Sequence, residues 1–269
     1  MTSLLRQEGG RLRPVPIFTF VNNDASYAEM TRSFHTAGVT PGRASFIRLD
    51  TGDAVGESDP YTAISELIEQ REEPFFILCH QDIRVDQGHT WSDFISAMEA
   101  LASIDPRWAV AGNGGGSSAL HLVRRITDPY GGGTNDVLPA QVQTLDENFL
   151  VIRTSTGLSC SSELRGFHMY GSDICLNARA AGFRCYVIDF HVRHLSPGTK
   201  NDEYYRCRDR FVSTWSRRFT ARYVRSPTEV LFLSRRNILR VVLGSTRVRR
   251  ILKNHASVGR LVGFALARD

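Results

Sequence analysis

Between residues 15 and 111 short apolar runs alternate with helical stripes, and this alternation restricts the fold more than any other feature of the chain. The apolar runs cover residues 15–21, 45–49, 75–79 and 108–111 and read as strands. Between them Tyr27, Met30, Phe34 and Ala37, then Ile64, Leu67 and Ile68, then Trp91, Phe94, Ile95, Met98 and Leu101 recur at intervals of three and four. That interval places them on one face of a helix. Asp24 or Ser26 is expected to cap the first helix and Gly38 to stop it. Strand followed by helix, repeated, predicts an α/β domain with a mostly parallel sheet, and ligands of such sheets collect beyond the carboxyl ends of the strands. Asn22, Asn23 and Asp24, then Asp50, then His80, Gln81 and Asp82 all stand at such ends.

The second half continues the pattern less regularly. Residues 142–145 and 149–152 read as strands around Asp146 and Glu147. A helix is expected over 173–181, stopped by Gly182, and a strand over 185–188 that ends at Asp189. Between 112 and 141 glycines cluster at 112, 114–116 and 131–133, which predicts a long loop, read as a flexible active-site flap. It is not a phosphate-cradling P-loop, because no Gly-Lys-Ser or Gly-Lys-Thr follows.

Charge divides the chain. Residues 1–205 hold 17 Lys and Arg against 25 Asp and Glu, whereas residues 206–269 hold 16 against 3. The basic end reads as helical, with Phe211, Trp215 and Phe219 on one face and a further helix over 230–243 capped by Thr228. Such asymmetry points to an anionic partner. An anionic membrane surface fits better than nucleic acid, and packing of the arginines on the acidic core is the plain structural alternative. No apolar stretch reaches the roughly 18 residues needed to span a bilayer, and no signal-peptide core opens the chain. Five scattered cysteines without a CxxC pair fit a reducing compartment. The expected location is cytoplasmic, at the inner membrane face if the basic end binds there.

Several residues could carry chemistry. A carboxylate at a strand end suits a hard divalent cation, so Asp82 is a candidate metal ligand, with turn capping as its structural alternative. Of His191 and His194, His194 is the functional candidate, because Leu-Ser-Pro-Gly follows it and forces a turn at the sheet rim. Asp173 stands at a helix start, where it can complement the dipole or serve as a general base.

The strand followed by HQD at 80–82, the later LDE at 145–147, the run FHMYGSDICLNARAAG at 167–182, and a strand followed by HLSPG at 194–198 together resemble the glycosyltransferase family 2 superfamily. The likeness is to its small branch with an HQD motif and covers about residues 15–200. The resemblance implies an A-type glycosyltransferase fold, Rossmann-like, in which Mn²⁺ or Mg²⁺ holds the diphosphate of a nucleotide sugar. Carried over, it implies that Asp82 and His194 hold the metal, and that Asn22, Asn23, Asp24, Asp50, His80 and Gln81 bind the nucleotide. Asp173 would be the catalytic base, and Asp146, Glu147 and His168 would lie beside sugar or acceptor. The superfamily's QxxRW motif is absent, which argues against a processive polysaccharide synthase.

The resulting expectation is a tail over 1–14, a catalytic domain over 15–202 and a basic helical extension over 203–269. The expected activity is inverting, metal-dependent transfer of a sugar from a nucleotide donor to a glycan or lipid-linked acceptor. Two other classes remain open: a non-catalytic scaffold recruited through its basic end, and a metal-dependent hydrolase.

Overall fold

The computed structural model describes residues 13–50, 59–86, 88–198, 200–245 and 248. The expected N-terminal tail lies almost wholly outside them, as does most of the chain beyond 245. In order the elements are β1 (Val15–Val21), α1 (Asp24–Thr36), β2 (Ala44–Asp50), α2 (Pro60–Gln70), β3 (Phe75–Cys79), β4 (Ile83–Val85), α3 (Trp91–Ile104) and β5 (Trp108–Gly112). Then follow β6 (Gly114–Gly116), β7 (Leu122–Arg124), β8 (Ile126–Thr127), β9 (Ala140–Val142), β10 (Phe149–Arg153), α4 (Tyr170–Ala180), β11 (Arg184–Val187) and β12 (Val192–His194). The described chain closes with α5 (Asp202–Ser216), β13 (Arg222–Arg225), β14 (Val230–Leu233) and α6 (Asn237–Leu243).

The main sheet has seven strands in the order β2-β1-β3-β10-β5-β11-β9. β1, β2, β3, β5 and β11 share one direction, while β10 and β9 run against them. Alternation along each strand sorts the side chains into two cores. Ile17, Phe75, Ile77, Ala111 and Val151 meet α1 and α3, whereas Phe18, Phe76, Leu78, Val110 and Ile152 meet α2, α4 and α5. A strand apolar on both faces is what a sheet covered on both sides requires, and all five residues of β3 are buried.

The caps differ from expectation in one respect. Asn23, not Asp24 or Ser26, caps α1, its side chain accepting from the Ser26 N–H at 2.9 Å. Asp24 instead pairs with Arg48 on β2. Gly38, at φ 95°, ends the turn after α1.

The glycine-rich segment is a correction. In place of one long flap, β6 pairs antiparallel with β7, and β8 joins β12 and β4 in a small three-stranded sheet. Gly112, Gly114, Gly115 and Gly116 are buried, and a Cβ on Gly112 would come 2.9 Å from the Phe149 carbonyl oxygen. On Gly116 a Cβ would run into the Arg225 carbonyl and lie 2.6 Å from the Arg225 Cβ. These glycines permit close backbone packing. Gly131–133 are exposed.

The basic end is a second correction. α5 buries Tyr204, Cys207, Phe211 and Trp215. Residues 230–233, expected as helix, form β14, which pairs with β13. Phe219 lies beyond the helix but stacks on Trp215 at 5.8 Å. Some basic side chains do meet carboxylates of the acidic part of the chain, since Arg217 and Arg218 each lie 3.5 Å from the exposed Glu163.

Candidate active site

The carboxyl ends of β1 and β3 are tied together by Gln81. Its Oε1 accepts from the backbone N–H groups of Asn22 at 3.2 Å and Asn23 at 3.0 Å, and its amide donates to the Asn22 side chain. Asn22, Asn23 and Asp24 are exposed at this rim. Asp50 ends β2 in register with Val21, so the backbone of every expected nucleotide-binding residue stands at the same edge of the sheet.

His80 and Asp82 lie in the tight turn between β3 and β4. The turn is pinned by Ile83, which is fully buried, and by the His80 N–H donating to the Asn148 carbonyl at 3.0 Å. β12 runs antiparallel to β4, with His194 opposite Ile83. This pairing delivers the His194 imidazole to Asp82, Nε2 to Oδ2 at 3.4 Å. The His80 Nδ1 lies 4.0 Å from Asp82 Oδ1. One ligand atom from each of His80, Asp82 and His194 falls within 4.8 Å of the other two, the one such cluster among the described residues. His191, by contrast, turns to Asp86 at 3.3 Å and to the Thr127 hydroxyl at 2.9 Å.

Electrostatics suit a cation. Burial would raise the Asp82 carboxyl, but the His194 hydrogen bond and charge, with His80 and Ser196, hold it well below the usual carboxylate range. Burial lowers His80 to about 4, Asp82 opposing, so its imidazole is neutral and free to ligate. Burial would lower His194 too, yet the hydrogen bond and charge of Asp82 raise it. Two imidazoles and one carboxylate form a donor set intermediate between hard and soft, which suits Mn²⁺ better than Mg²⁺.

Tyr170 links this cluster to the next wall. Its hydroxyl lies 3.1 Å from His80 Nε2 and donates to the Glu147 carbonyl at 3.4 Å. Asp146 and Glu147 are half-buried in the turn before β10. Burial raises both carboxyls, Glu147 to about 8 with the Asp146 charge adding to the rise. His168 packs edge-on to Tyr204 at 5.4 Å, while its carbonyl accepts from the Tyr61 hydroxyl at 2.7 Å.

Asp173 does not fit the part of catalytic base. It has no exposed surface. Its carboxylate accepts from the Ser161 N–H, the Ser161 hydroxyl and the Trp215 indole N–H, each at 2.7 Å, and from the Asn177 amide at 3.1 Å. Such a group joins α4 to α5 and the 158–164 segment, and it is closed off from solvent. Sequence reasoning missed Tyr170, although YGSD placed it beside the presumed cap, and it missed Ser161 and Trp215, which nothing local marks as partners of Asp173.

No family model matches the chain. Among solved structures, GalNAc-T7 with UDP, GalNAc and Mn²⁺ superimposes with a TM-score of 0.52 at 10% identity, covering 76% of this chain and 48% of that one. The chain thus spans about half the length of that structure. TarS 1–349 of S. aureus in complex with UDP-GlcNAc gives a TM-score of 0.45 at 12% identity over 70% of this chain and 60% of that one. The fold is that of the A-type glycosyltransferases, and the His80, Asp82 and His194 cluster stands at the carboxyl edge of its sheet. By sequence the chain belongs to the family of the Fuscovulum blasticum protein called ATP synthase subunits region ORF 6. It is 30% identical to that protein over 224 residues, which is 79% of this chain and 87% of the relative.

Proposed function

We propose that the protein is an inverting, metal-dependent glycosyltransferase that uses a nucleoside-diphosphate sugar, as the HQD branch of glycosyltransferase family 2 is expected to do. The observation that carries this reading is the convergence of His80, Asp82 and His194 within 4.8 Å at the carboxyl edge of an A-type sheet. These three would hold the cation, which when bound supplies positive charge to the leaving diphosphate. Gln81 keeps Asn22 and Asn23 at the rim, where, with Asp24 and Asp50, they would frame the nucleoside. His168 and Asp146 would face the sugar or the acceptor. Single displacement at the anomeric carbon inverts it and requires a proton acceptor beside the incoming hydroxyl.

The acceptor is proposed to be a glycan or a lipid-linked one, reached from a membrane surface. α6 presents Ile238 and Val241 at 80% and 72% exposure beside Arg235, Arg236 and Arg240, an apolar ridge rimmed by cations of the kind that lies in an anionic interface. Among the described residues no helix is long and apolar enough to cross a membrane. The membrane-facing surface would then be α6, while α5, packed into the core through Tyr204, Phe211 and Trp215, would belong with the catalytic domain that begins at 15.

The reading is tested by incubating the purified chain with UDP-, GDP-, CDP- and dTDP-sugars and following release of nucleoside diphosphate. Release of one of them that requires Mn²⁺ and the intact His80, Asp82 and His194 supports it; absence of release from all four classes refutes it.

A further inference from the structure

Burying Asp173 leaves the cleft without the base that was expected for it, and three observations converge on another carboxylate. The first is position: Glu147 is half-buried where Asp173 is sealed, in the turn that packs on the start of α4 at Gly171. The second is space. A Cβ on Gly171 would come 2.8 Å from the Leu145 carbonyl oxygen and 3.2 Å from the Glu147 Cγ, so the approach of this turn to α4 depends on glycine there. The third is backbone strain. Met169, at φ 69°, is the one non-glycine residue with positive φ among the described residues, and it is buried next to Glu147. A long side chain held in the left-handed region is strained, and such strain persists where surrounding structure enforces it, most often at functional sites.

We propose that Glu147 takes the proton from the acceptor hydroxyl in the transfer reaction. The inference rests on the transferase reading and adds the group that this reading lacks. In the step, the acceptor oxygen forms its bond to the anomeric carbon while its proton passes to a Glu147 carboxylate oxygen. The bond from the anomeric carbon to the diphosphate oxygen breaks, its electron pair leaving with the nucleoside diphosphate, and Glu147 later returns the proton to water.

The surroundings suit a base working near neutrality. Besides Asp146 from its own turn, the titratable groups facing Glu147 among the described residues are Tyr170 from α4, Tyr61 from α2, and Tyr204 and Cys207 from α5. All of these are acids, so none stabilises the carboxylate by opposite charge. Burial, with the Asp146 charge, lifts the carboxyl to about 8, near the pH at which a general base combines availability with strength. The raised value means protonation below it, so turnover should rise with pH through that region.

The test uses the full chain, Mn²⁺ and whichever UDP-, GDP-, CDP- or dTDP-sugar the wild type hydrolyses, with sodium azide as a second nucleophile. Azide carries no proton to remove, so it needs no base. Glu147→Ala should lower hydrolysis about 100-fold or more, bind the donor as the wild type does by calorimetry, and regain release in azide with a glycosyl azide as product. Glu147→Gln, which keeps the side chain's size and polarity and so guards against misfolding, should show the same loss and a flat pH profile. Hydrolysis within threefold of wild type in both variants overturns the proposal, as does loss of donor binding, which would make Glu147 a sugar contact. If the wild type itself turns over no donor, the transferase reading fails first, a result distinct from either.

Discussion

The Asp82 carboxylate and the His194 imidazole meet at 3.4 Å across the β4–β12 pair, where the Leu195 N–H donates to the Asp82 carbonyl at 3.1 Å. In the metal-free protein this pair favours an imidazolium beside a carboxylate. A cation must displace that proton, so Mn²⁺ affinity should weaken by about tenfold per pH unit once the pH falls below the raised His194 value. Fluorescence or calorimetric titration of Mn²⁺ between pH 5.5 and about 8.5 checks this; affinity independent of pH would remove His194 from the ligand set. Without metal, the His194 contribution to stability is full at acid pH and is lost as pH rises through its raised value. The Asp82 contribution is lost only as pH falls through its depressed one.

Asp173 is expected to matter for folding. Four donors converge on it, and an asparagine would turn an amide NH₂ toward at least one of them. Leaving such buried groups unpaired costs about 1–3 kcal/mol, or roughly 5 °C in Tm for a chain of this size. Asp173→Asn should therefore melt early while its folded fraction still binds nucleotide; wild-type Tm with turnover abolished would restore Asp173 to the chemistry.

The glycine segment makes a sharper stability prediction. Gly116→Ala sets a methyl against the backbone of Arg225, which a strand-paired hairpin cannot move aside cheaply. It should cost about 1–3 kcal/mol in urea denaturation. Gly132→Ala, with nothing within 4 Å of its Cβ position, should change stability by less than about 0.5 kcal/mol. Equal effects at the two positions would contradict the packing described.

The parts of the fold that could be read from sequence are those where burial leaves one choice. Residues 15–21 and 75–79 are apolar on both faces and became β1 and β3 without change. Their polar ends gathered at one edge because parallel strands must share it. Elsewhere one pattern has two physical causes. Glycine marks both a free loop and a close backbone crossing, and only Arg225 and Phe149, distant in sequence, show that Gly112 and Gly116 are crossings. A short run such as VLFL at 230–233 fits helix and strand alike. Asp173 at a helix start reads as cap or base until Ser161 and Trp215 are seen around it, whereas the turn after His194 already sets that residue at the sheet rim, where it meets Asp82.

The exposed ridge of α6 predicts binding to anionic lipid. Vesicles containing about 30% phosphatidylserine should pull the chain down on centrifugation at low salt and release it near 0.5 M salt, as charges screen. Ile238→Asp with Val241→Asp should weaken this binding, both side chains being exposed. Equal recovery on neutral and anionic vesicles would contradict it.

Calorimetric titration of UDP, GDP, CDP and dTDP into the wild type and Asp82→Ala, with and without Mn²⁺, tests the central claim most directly. The account predicts that one nucleotide binds only with Mn²⁺ and that the variant loses that affinity by roughly 100-fold while keeping its fold. Binding of none of the four, or binding indifferent to both Mn²⁺ and Asp82, would contradict it.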